Sequence, residues 1–341
     1  MLRLVTRALA VLAAAVLLGG CGAGARRSFQ LGIVADADGG TRAGKIAALG
    51  ARIARVEFSI DATPDEMAPV ITRYARHGVR VLLLAGFEGR VPTTAEARNL
   101  ASWARAFGPS GTFWRHRGGP ELAVRDIEFG NETNQAFQFG GCGAGCPSFV
   151  ARAHAYALTL KAAQEAIGGP LGNSRVGVLA IGDSAGTSSP DWVNGMFDAV
   201  PDLADRIAGW TAHPYGPRSG WQPMLDQLVS QTGARGAPAT VPIFITEIGI
   251  ATDNGSCLDS NLGWNPCMTY AQAASSLKLT LAAIQGRYGK RIRAIFIYQA
   301  LDQHLPRSDD EHEHYFGVLT ANGGTKGAYT AAVRAMLGSL H

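Results

Sequence analysis

The sequence predicts a single (β/α)8 barrel, a closed ring of eight parallel strands with helices outside, over residues 29–341. Eight short apolar runs rich in β-branched residues recur along the chain, and helical patterns lie between them. With 341 residues, 47% of them hydrophobic, the chain can bury one large core. Such alternation is typical of an α/β barrel. An open doubly wound sheet is the main alternative, but the glycine motifs expected after its early strands are not convincing here.

The predicted strands cover residues 31–35, 53–58, 79–84, 124–129, 176–180, 207–211, 243–246 and 292–298. The fourth is unusually polar, because Arg125, Asp126 and Glu128 interrupt it. Long segments follow strands 3, 4, 7 and 8. In a barrel, the loops that leave the carboxyl ends of the strands build the active site, so we expect a cleft for a bulky substrate at that rim.

Two capping boxes support the predicted helices. Thr63-Pro64-Asp65-Glu66 combines a capping box with proline at the first helical position, and Thr93 to Glu96 forms a second one. Apolar residues follow both at helical spacing. Further helices are predicted over residues 148–167, 190–204, 270–288 and 329–340.

The amino terminus resembles an export signal. Arg3 and Arg7 precede an apolar run over residues 8–18, which is too short to span a bilayer but suits a signal peptide. The run ends in Leu18-Gly19-Gly20-Cys21, which resembles a bacterial lipobox, so we predict that Cys21 is lipidated after cleavage. The alternative is an ordinary signal peptide in which Cys21 is incidental. Residues 1–21 are thus predicted to be the signal, residues 22–28 a tether, and the domain extracytoplasmic, anchored to the cell membrane by lipid or secreted.

The remaining cysteines are four in number, an even count that favours disulfides in an exported domain. We predict the pairs Cys142–Cys146 and Cys257–Cys267, each closing a local loop. A four-cysteine zinc site is the alternative, but the spacings do not match zinc-ribbon patterns.

The charge gives no support to a nucleic-acid binder. The formal net charge is +4, and without Arg3 and Arg7 it falls to +2, from 29 basic and 27 acidic residues. No cluster of lysine and arginine forms a basic stripe. We therefore expect no nucleic-acid partner, and membrane contact only through a lipid anchor.

Two glutamates stand where apolar strands open into loops. Glu132 follows strand 4 in Gly130-Asn131-Glu132-Thr133, and Glu247 follows strand 7 in Thr246-Glu247-Ile248-Gly249. Either carboxylate alone could be structural, pairing with an arginine or capping a helix. Both together, on strands 4 and 7 of one barrel, predict a catalytic pair.

These motifs resemble the clan of retaining glycoside hydrolases with barrel folds, in which the acid/base and nucleophile glutamates end strands 4 and 7. Asn131-Glu132 matches the asparagine that precedes the acid/base residue, and Trp210-Thr211-Ala212-His213-Pro214-Tyr215 is similar to strand 6 of the clan. Residues 315–329 are similar to its last loop. The resemblance runs from about residue 29 to the end and fits cellulase-like and xylosidase-like families equally well.

The resemblance implies that Glu247 attacks the anomeric carbon and that Glu132 protonates the leaving oxygen and then activates water. Asn131 would hydrogen-bond the 2-hydroxyl of the sugar. Either His213 or Tyr215 would donate to Glu247.

Arg55 occupies a position where the clan often has an arginine near the nucleophile. It could instead pair with Glu57 or Glu128. Glu128 and Glu132 are separated by an even number of positions, so Glu128 can point into the barrel as well. A buried charge on Glu128 would need a partner there.

One departure from the clan concerns the end of strand 8. The usual tryptophan there is replaced by Tyr298, in Ile297-Tyr298-Gln299, and we expect Tyr298 to stack on a sugar instead. Among the tryptophans, Trp103 lies in a helical pattern typical of the core, while Trp221 and Trp264 are the better candidates for sugar-stacking platforms.

The sequence therefore predicts a monomeric retaining glycoside hydrolase that cleaves a β-linked polysaccharide or oligosaccharide without cofactor or metal. A catalytically inactive carbohydrate-binding lipoprotein on the same barrel is the alternative, although binding alone does not require both glutamates. A metal-dependent barrel hydrolase is disfavoured, because strand 1 ends in Ala35-Asp36-Ala37-Asp38 without a His-x-His pair. The histidines and carboxylates of residues 302–314 could bind a metal or simply form a solvated loop.

Overall fold

The computed structural model describes residues 29–35, 40–87, 89–135, 148–184, 190–217, 220–257, 264–303 and 314–339. Eight parallel strands form a closed barrel in sequence order, with β1 paired to β8, so the predicted fold is confirmed. The strands are β1 Gln30–Val34, β2 Ile53–Ser59, β3 Arg80–Gly86, β4 Asp126–Phe129, β5 Gly177–Ser184, β6 Gly209–His213, β7 Ile243–Ile248 and β8 Ile292–Ile297.

Helices surround the barrel. They are α1 Ala43–Ala48, α2 Pro64–Arg76, α3 Thr94–Arg98, α4 Leu100–Phe107, α5 Phe149–Gly168, α6 Pro190–Ala199, α7 Leu203–Arg206, α8 Trp221–Ala234, α9 Tyr270–Tyr288 and α10 Gly327–Gly338. Both predicted capping boxes are present, at Thr63 and Thr93. A third, at Thr269, begins α9.

Some of the predicted boundaries are wrong. The single helix predicted over residues 190–204 is two helices, because Pro201 follows Val200 and disfavours a helical conformation there. The sixth strand begins at Gly209 and reaches His213, two residues later than predicted. Trp221, expected in a loop, lies in α8 and is 3% exposed, so it is a core residue and no sugar-stacking platform.

The strands bury both faces, as expected for a parallel barrel. The larger apolar cluster lies between the strands and the helices. A second cluster consists of residues of the opposite strand parity and fills the inside of the barrel: Val34, Ile53, Leu82, Leu179, Phe244, Ala294 and Phe296. Nearer the carboxyl ends of the strands, the residues of this parity are polar. Their side chains therefore lie at the carboxyl-terminal mouth of the barrel.

The segment between β8 and α10 is held by a buried lysine. The ammonium group of Lys326 donates to the carbonyls of Thr252 and Tyr315 and to Asp302 Oδ1, which is 2.7 Å away. Burial lowers the pKa of Lys326, opposed by the charge of Asp302. These contacts tie the loops after β7 and β8 together at the rim.

A disulfide joins Cys257 and Cys267, one of the two predicted pairs. Cys142 and Cys146 lie outside the described residues, as do residues 1–28, which hold the predicted signal peptide, Cys21 and the predicted tether, and residues 304–313. In the described part of the chain, no helix is long and apolar enough to cross a membrane.

Candidate active site

The polar cluster at the mouth of the barrel is drawn from four strands. Arg55 comes from β2, Glu128 from β4, His213 from β6 and Glu247 from β7. Glu132 lies three residues beyond β4 and joins this cluster. The structure therefore brings both predicted glutamates and the predicted Arg55 and His213 together.

A tight turn after β4 aims Glu132 at the mouth. Gly130 has φ +82°, and a Cβ there would lie 2.4 Å from the ring of Phe87, so glycine is required on both counts. Glu132 itself has φ 43°, in the left-handed region that is uncommon for residues other than glycine. Thr133 fixes the turn by donating to the carbonyl of Ile181 at 2.8 Å.

A register shift in β7 explains why two consecutive residues face the site. Pairing between β7 and β8 is irregular between Ile245 and Ile248, and such irregularities re-aim side chains next to functional sites. Thr246 Oγ1 donates to Glu128 Oε1 at 2.7 Å, while Glu247 contacts Arg55. In a regular strand these neighbours would point to opposite faces.

The Arg55 guanidinium joins three acceptors. Its Nε lies 2.5 Å from Glu128 Oε2, its Nη1 lies 2.6 Å from Glu247 Oε1, and its Nη2 donates to Asn131 Oδ1 at 2.8 Å. Both predicted roles of Arg55, beside the nucleophile and as the partner of Glu128, are thus found in one side chain. The planar fork of arginine suits such multiple recognition.

His213 is fully buried between carboxylates. Its Nδ1 lies 2.9 Å from Glu132 Oε1 and 3.7 Å from Glu247 Oε2, and its Nε2 lies 3.1 Å from Thr246 Oγ1. Of the two residues expected to donate to Glu247, Tyr215 does so directly, with its hydroxyl 2.7 Å from Oε2. His213 instead hydrogen-bonds Glu132.

Burial and charge set the ionisation of this cluster. Burial would raise the pKa of Glu128, but Arg55 and His213 outweigh it and hold that pKa at about 2. Burial would lower the pKa of His213, but the charge of Glu247 and the bonds to Glu128 and Glu132 raise it to about 10. The pKa of Arg55 is raised further above its ordinary value, since Glu128 and Glu247 overcome the effect of burial.

The two predicted catalytic glutamates lie close together. An oxygen of Glu132, a ring nitrogen of His213 and an oxygen of Glu247 are all within 4.8 Å of one another. Glu247 is 7% exposed, and the side chain of Glu132 is 15% exposed. Both carboxylates are therefore close enough to contact the two atoms of a single substrate bond.

The same three groups have the donor types of a divalent metal site. However, the Arg55 guanidinium already contacts Glu247 at 2.6 Å and Tyr215 contacts its other oxygen. A fixed cation in this place competes with a metal ion, so the residues do not fit a metal centre well. The arrangement instead suits acid–base and nucleophilic chemistry by carboxylates.

An aromatic cluster lines the rim beside Glu247. Tyr215, Tyr298 and Phe316 contact one another edge to face, and Trp264 stacks on Phe316 with an interplanar angle of 14°. Trp264 is 41% exposed. Tyr298, predicted to contact the sugar, therefore lies in this cluster. Phe316 and the position of Thr246 were not singled out from the sequence, because only the fold reveals their neighbours.

No protein-family model matches the chain, and no curated protein matches it in sequence. Solved structures match in fold. A β-1,3-glucanase and allergen of Cryptomeria japonica pollen has a TM-score of 0.58 at 16% identity, with 87% of this chain and 97% of that chain covered. A GH113 β-1,4-mannanase has a TM-score of 0.51 at 12% identity, covering 91% and 97%.

A GH5_18 variant from Bifidobacterium longum, in complex with Manβ1-4GlcNAc, has a TM-score of 0.61 at 12% identity and covers 91% of this chain and 78% of that chain. At such identities the likeness shows the fold alone. The chain is thus a barrel similar to those of glycoside hydrolases, with buried glutamates, Glu128 and Glu247, on β4 and β7.

Proposed function

We propose that the protein is a retaining glycoside hydrolase that cleaves a β-linked glycan or glycoside, with Glu247 as nucleophile and Glu132 as acid/base. The observation that carries this proposal is the separation of the two carboxylates, whose nearest oxygens lie within 4.8 Å. Retaining enzymes hold their carboxyl groups about 5–5.5 Å apart, whereas inverting enzymes need about 6.5–9.5 Å to admit a water. Two carboxylate oxygens within 4.8 Å of each other leave little room for a water molecule between the carboxylate and the sugar, which favours double displacement.

The contacts of Glu247 support its role as the nucleophile. Arg55 and Tyr215 both donate to it, one to each oxygen, which stabilises the ionised carboxylate and fixes its orientation. Glu128 is the other glutamate near β4, but it is fully buried and locked to Arg55 and Thr246. Glu132, which is partly exposed, is therefore the better acid/base residue.

The proposed reaction has two steps. Glu247 attacks the anomeric carbon as the bond to the leaving oxygen breaks, and Glu132 delivers its proton to that oxygen. Water then attacks the glycosyl-enzyme, Glu132 takes a proton from the water, and the ester bond to Glu247 breaks. Asn131, whose Oδ1 accepts from Arg55, would hydrogen-bond the 2-hydroxyl of the sugar.

The substrate class is proposed from the site and from the matched structures. Two of the similar barrels are a β-1,3-glucanase and a β-1,4-mannanase. The exposed ring of Trp264, which packs against Tyr215 at the rim, suits the apolar face of a sugar ring. We therefore propose a β-linked oligosaccharide or polysaccharide.

The experiment is active-site labelling with 2,4-dinitrophenyl 2-deoxy-2-fluoro-β-glycosides of gluco, manno and galacto configuration, followed by mass spectrometry of the labelled peptide. Label on Glu247 is expected, together with inactivation. Glu247→Gln should abolish labelling, while Glu165→Gln, at an exposed carboxylate on α5 away from the site, should retain it. Label on another residue would overturn the assignment. Glycan binding without turnover or labelling would identify an inactive carbohydrate-binding barrel.

We further propose that the protein is exported and anchored through Cys21. The supporting observation is the sequence Leu18-Gly19-Gly20-Cys21 after an apolar run. Expression of the full chain in a bacterium fed labelled palmitate should give a labelled, membrane-associated protein. Cys21→Ser should remove the label, and a labelled Cys21→Ser protein would exclude this anchor.

A further inference from the structure

The hydrogen bonds around His213 fix where its protons lie. Thr246 Oγ1 has one hydrogen, and it donates that hydrogen to Glu128 Oε1 at 2.7 Å. Glu128 is ionised, because Arg55 Nε contacts its other oxygen at 2.5 Å. Thr246 Oγ1 can therefore only accept from His213 Nε2, which is 3.1 Å away, so Nε2 carries a hydrogen.

The other ring nitrogen then shares one proton with Glu132. His213 Nδ1 and Glu132 Oε1 are 2.9 Å apart, a distance that needs a hydrogen between two atoms with lone pairs. That proton resides either on Nδ1, as an imidazolium beside a carboxylate, or on Oε1, as a carboxylic acid beside a neutral imidazole.

From this geometry we infer that His213 holds the catalytic proton at rest and passes it from Nδ1 to Glu132 as Glu132 protonates the leaving group. The inference rests on the proposed function. His213 is fully buried beneath the glutamates and is a positioning and proton-holding residue, not one that touches the sugar.

The charge of Glu247 controls when the proton is released. Glu247 Oε2 lies 3.7 Å from Nδ1, and Glu128 Oε1 lies 3.9 Å from Nε2, so three carboxylates face the ring, counting Glu132. Arg55, the other cation in the cluster, contacts Glu128 and Glu247. When Glu247 becomes a neutral glycosyl ester, one of the charges that favour the imidazolium disappears.

Atoms and charges balance through the cycle. In the first step the bond from the anomeric carbon to the leaving oxygen breaks and the bond to Glu247 forms. The proton moves from Nδ1 to Glu132 Oε1 and on to the leaving oxygen. In the second step water attacks the anomeric carbon, the ester bond breaks, and the proton lost by the water passes through Glu132 back to Nδ1.

The kinetic test uses two glycosides of the sugar that labels Glu247, one with phenol and one with 2,4-dinitrophenol as leaving group. Dinitrophenol departs without protonation, whereas phenol requires the acid. His213→Gln should lower kcat/KM for the phenyl glycoside by about 100-fold, the scale of general acid catalysis. Glycosylation by the dinitrophenyl glycoside should change by less than about 5-fold. Glu132→Gln should show the same asymmetry, whereas Tyr215→Phe, which acts on Glu247, should slow both substrates alike.

A second measurement keeps the inference testable if His213→Gln does not fold. In the ¹⁵N-labelled wild-type protein, the His213 ring should have both nitrogens protonated near neutral pH. After trapping with the 2-fluoroglycoside that labels Glu247, Nδ1 should lose its proton while Nε2 keeps it. A neutral ring in the free protein, an unchanged ring after trapping, or equal slowing of both substrates by a folded His213→Gln would overturn the inference. None of these outcomes would affect the labelling of Glu247. A failure of the proposed function would show instead as the absence of that labelling.

Discussion

At the residue scale, Arg55 is the centre of the site. One guanidinium, 3% exposed, serves Glu128, Glu247 and Asn131. Removal of one partner from a buried charge cluster is costly because the remaining charges stay desolvated. Arg55 therefore links the stability of the barrel to the orientation of Glu247, the proposed nucleophile.

We expect Arg55→Met to lower the free energy of unfolding by about 3–5 kcal/mol, since two carboxylates lose their buried partner. Arg55→Lys should retain part of the stability but not the three-way contact, so its loss of kcat should exceed its loss of stability. Urea denaturation and kinetics with a dinitrophenyl glycoside measure both effects. Arg90→Lys is the control, because Arg90 pairs with Glu96 at the surface and should change stability by less than about 1 kcal/mol. Wild-type stability in Arg55→Met would contradict this account.

Individual site residues were predictable where a motif carries them. Glu132, Glu247 and Tyr215 follow from sequence patterns at strand ends. The role of Thr246 could not be predicted, because strand alternation would turn it away from Glu247 and only the register shift in β7 places both in the site. The bond from His213 to Glu132 depends likewise on where β6 lies relative to the turn after β4.

At the scale of elements, the segment between β7 and α9 presents Trp264 to the rim. The disulfide Cys257–Cys267 closes the loop that contains Trp264. The buried side chain of Asn265 accepts from the backbone N–H of Ala251 and donates to its carbonyl. Trp264 packs on Phe316 and Tyr215 while remaining 41% exposed. An aromatic surface next to Glu247, the proposed nucleophile, is suited to bind a sugar ring.

We expect Trp264→Ala to raise KM for β-linked oligosaccharides about 10-fold, equivalent to about 1.4 kcal/mol of binding. The effect on a dinitrophenyl monoglycoside should be smaller, because fewer sugar rings are bound. Leu279→Ala, which removes another exposed apolar side chain on the outer face of α9, is the matched control and should leave KM unchanged. Equal effects of the two variants would exclude a platform role for Trp264.

The sequence predicted elements best where local chemistry is strong. The predicted bounds of α9, residues 270–288, agree with Tyr270–Tyr288, where a capping box begins a long helix. α8 was missed, because Pro223 stands near its start, a position that helices tolerate but that gives a weak helix signal. α1, only six residues long and without a side-chain cap, has no signal of its own.

At the scale of the whole molecule, barrel closure concentrates charge that is dispersed in sequence. Arg55 and Glu247 are 192 positions apart, yet their side chains are 2.6 Å apart. The resulting ionisation states tie folding to pH. Glu128, with its pKa lowered from an ordinary 4.5 to about 2, contributes stability above pH 4.5 that is lost as pH falls toward 2. His213, with its pKa raised from 6.5 to about 10, contributes stability below pH 6.5 that is lost as pH rises through 10.

We therefore expect the free energy of unfolding to be greatest between about pH 4.5 and 6.5 and to fall by roughly 2 kcal/mol or more between pH 6.5 and 9 as the unfolded chain no longer binds the His213 proton. His213→Gln should flatten this alkaline decline. His77→Gln, which changes an exposed histidine at the end of α2, should retain it. Urea unfolding at half-unit pH steps measures all three proteins. An alkaline decline of equal size in His213→Gln would show that charged groups elsewhere on the molecule cause it. In that case the protonation of His213 would not be what makes the stability of the barrel depend on pH.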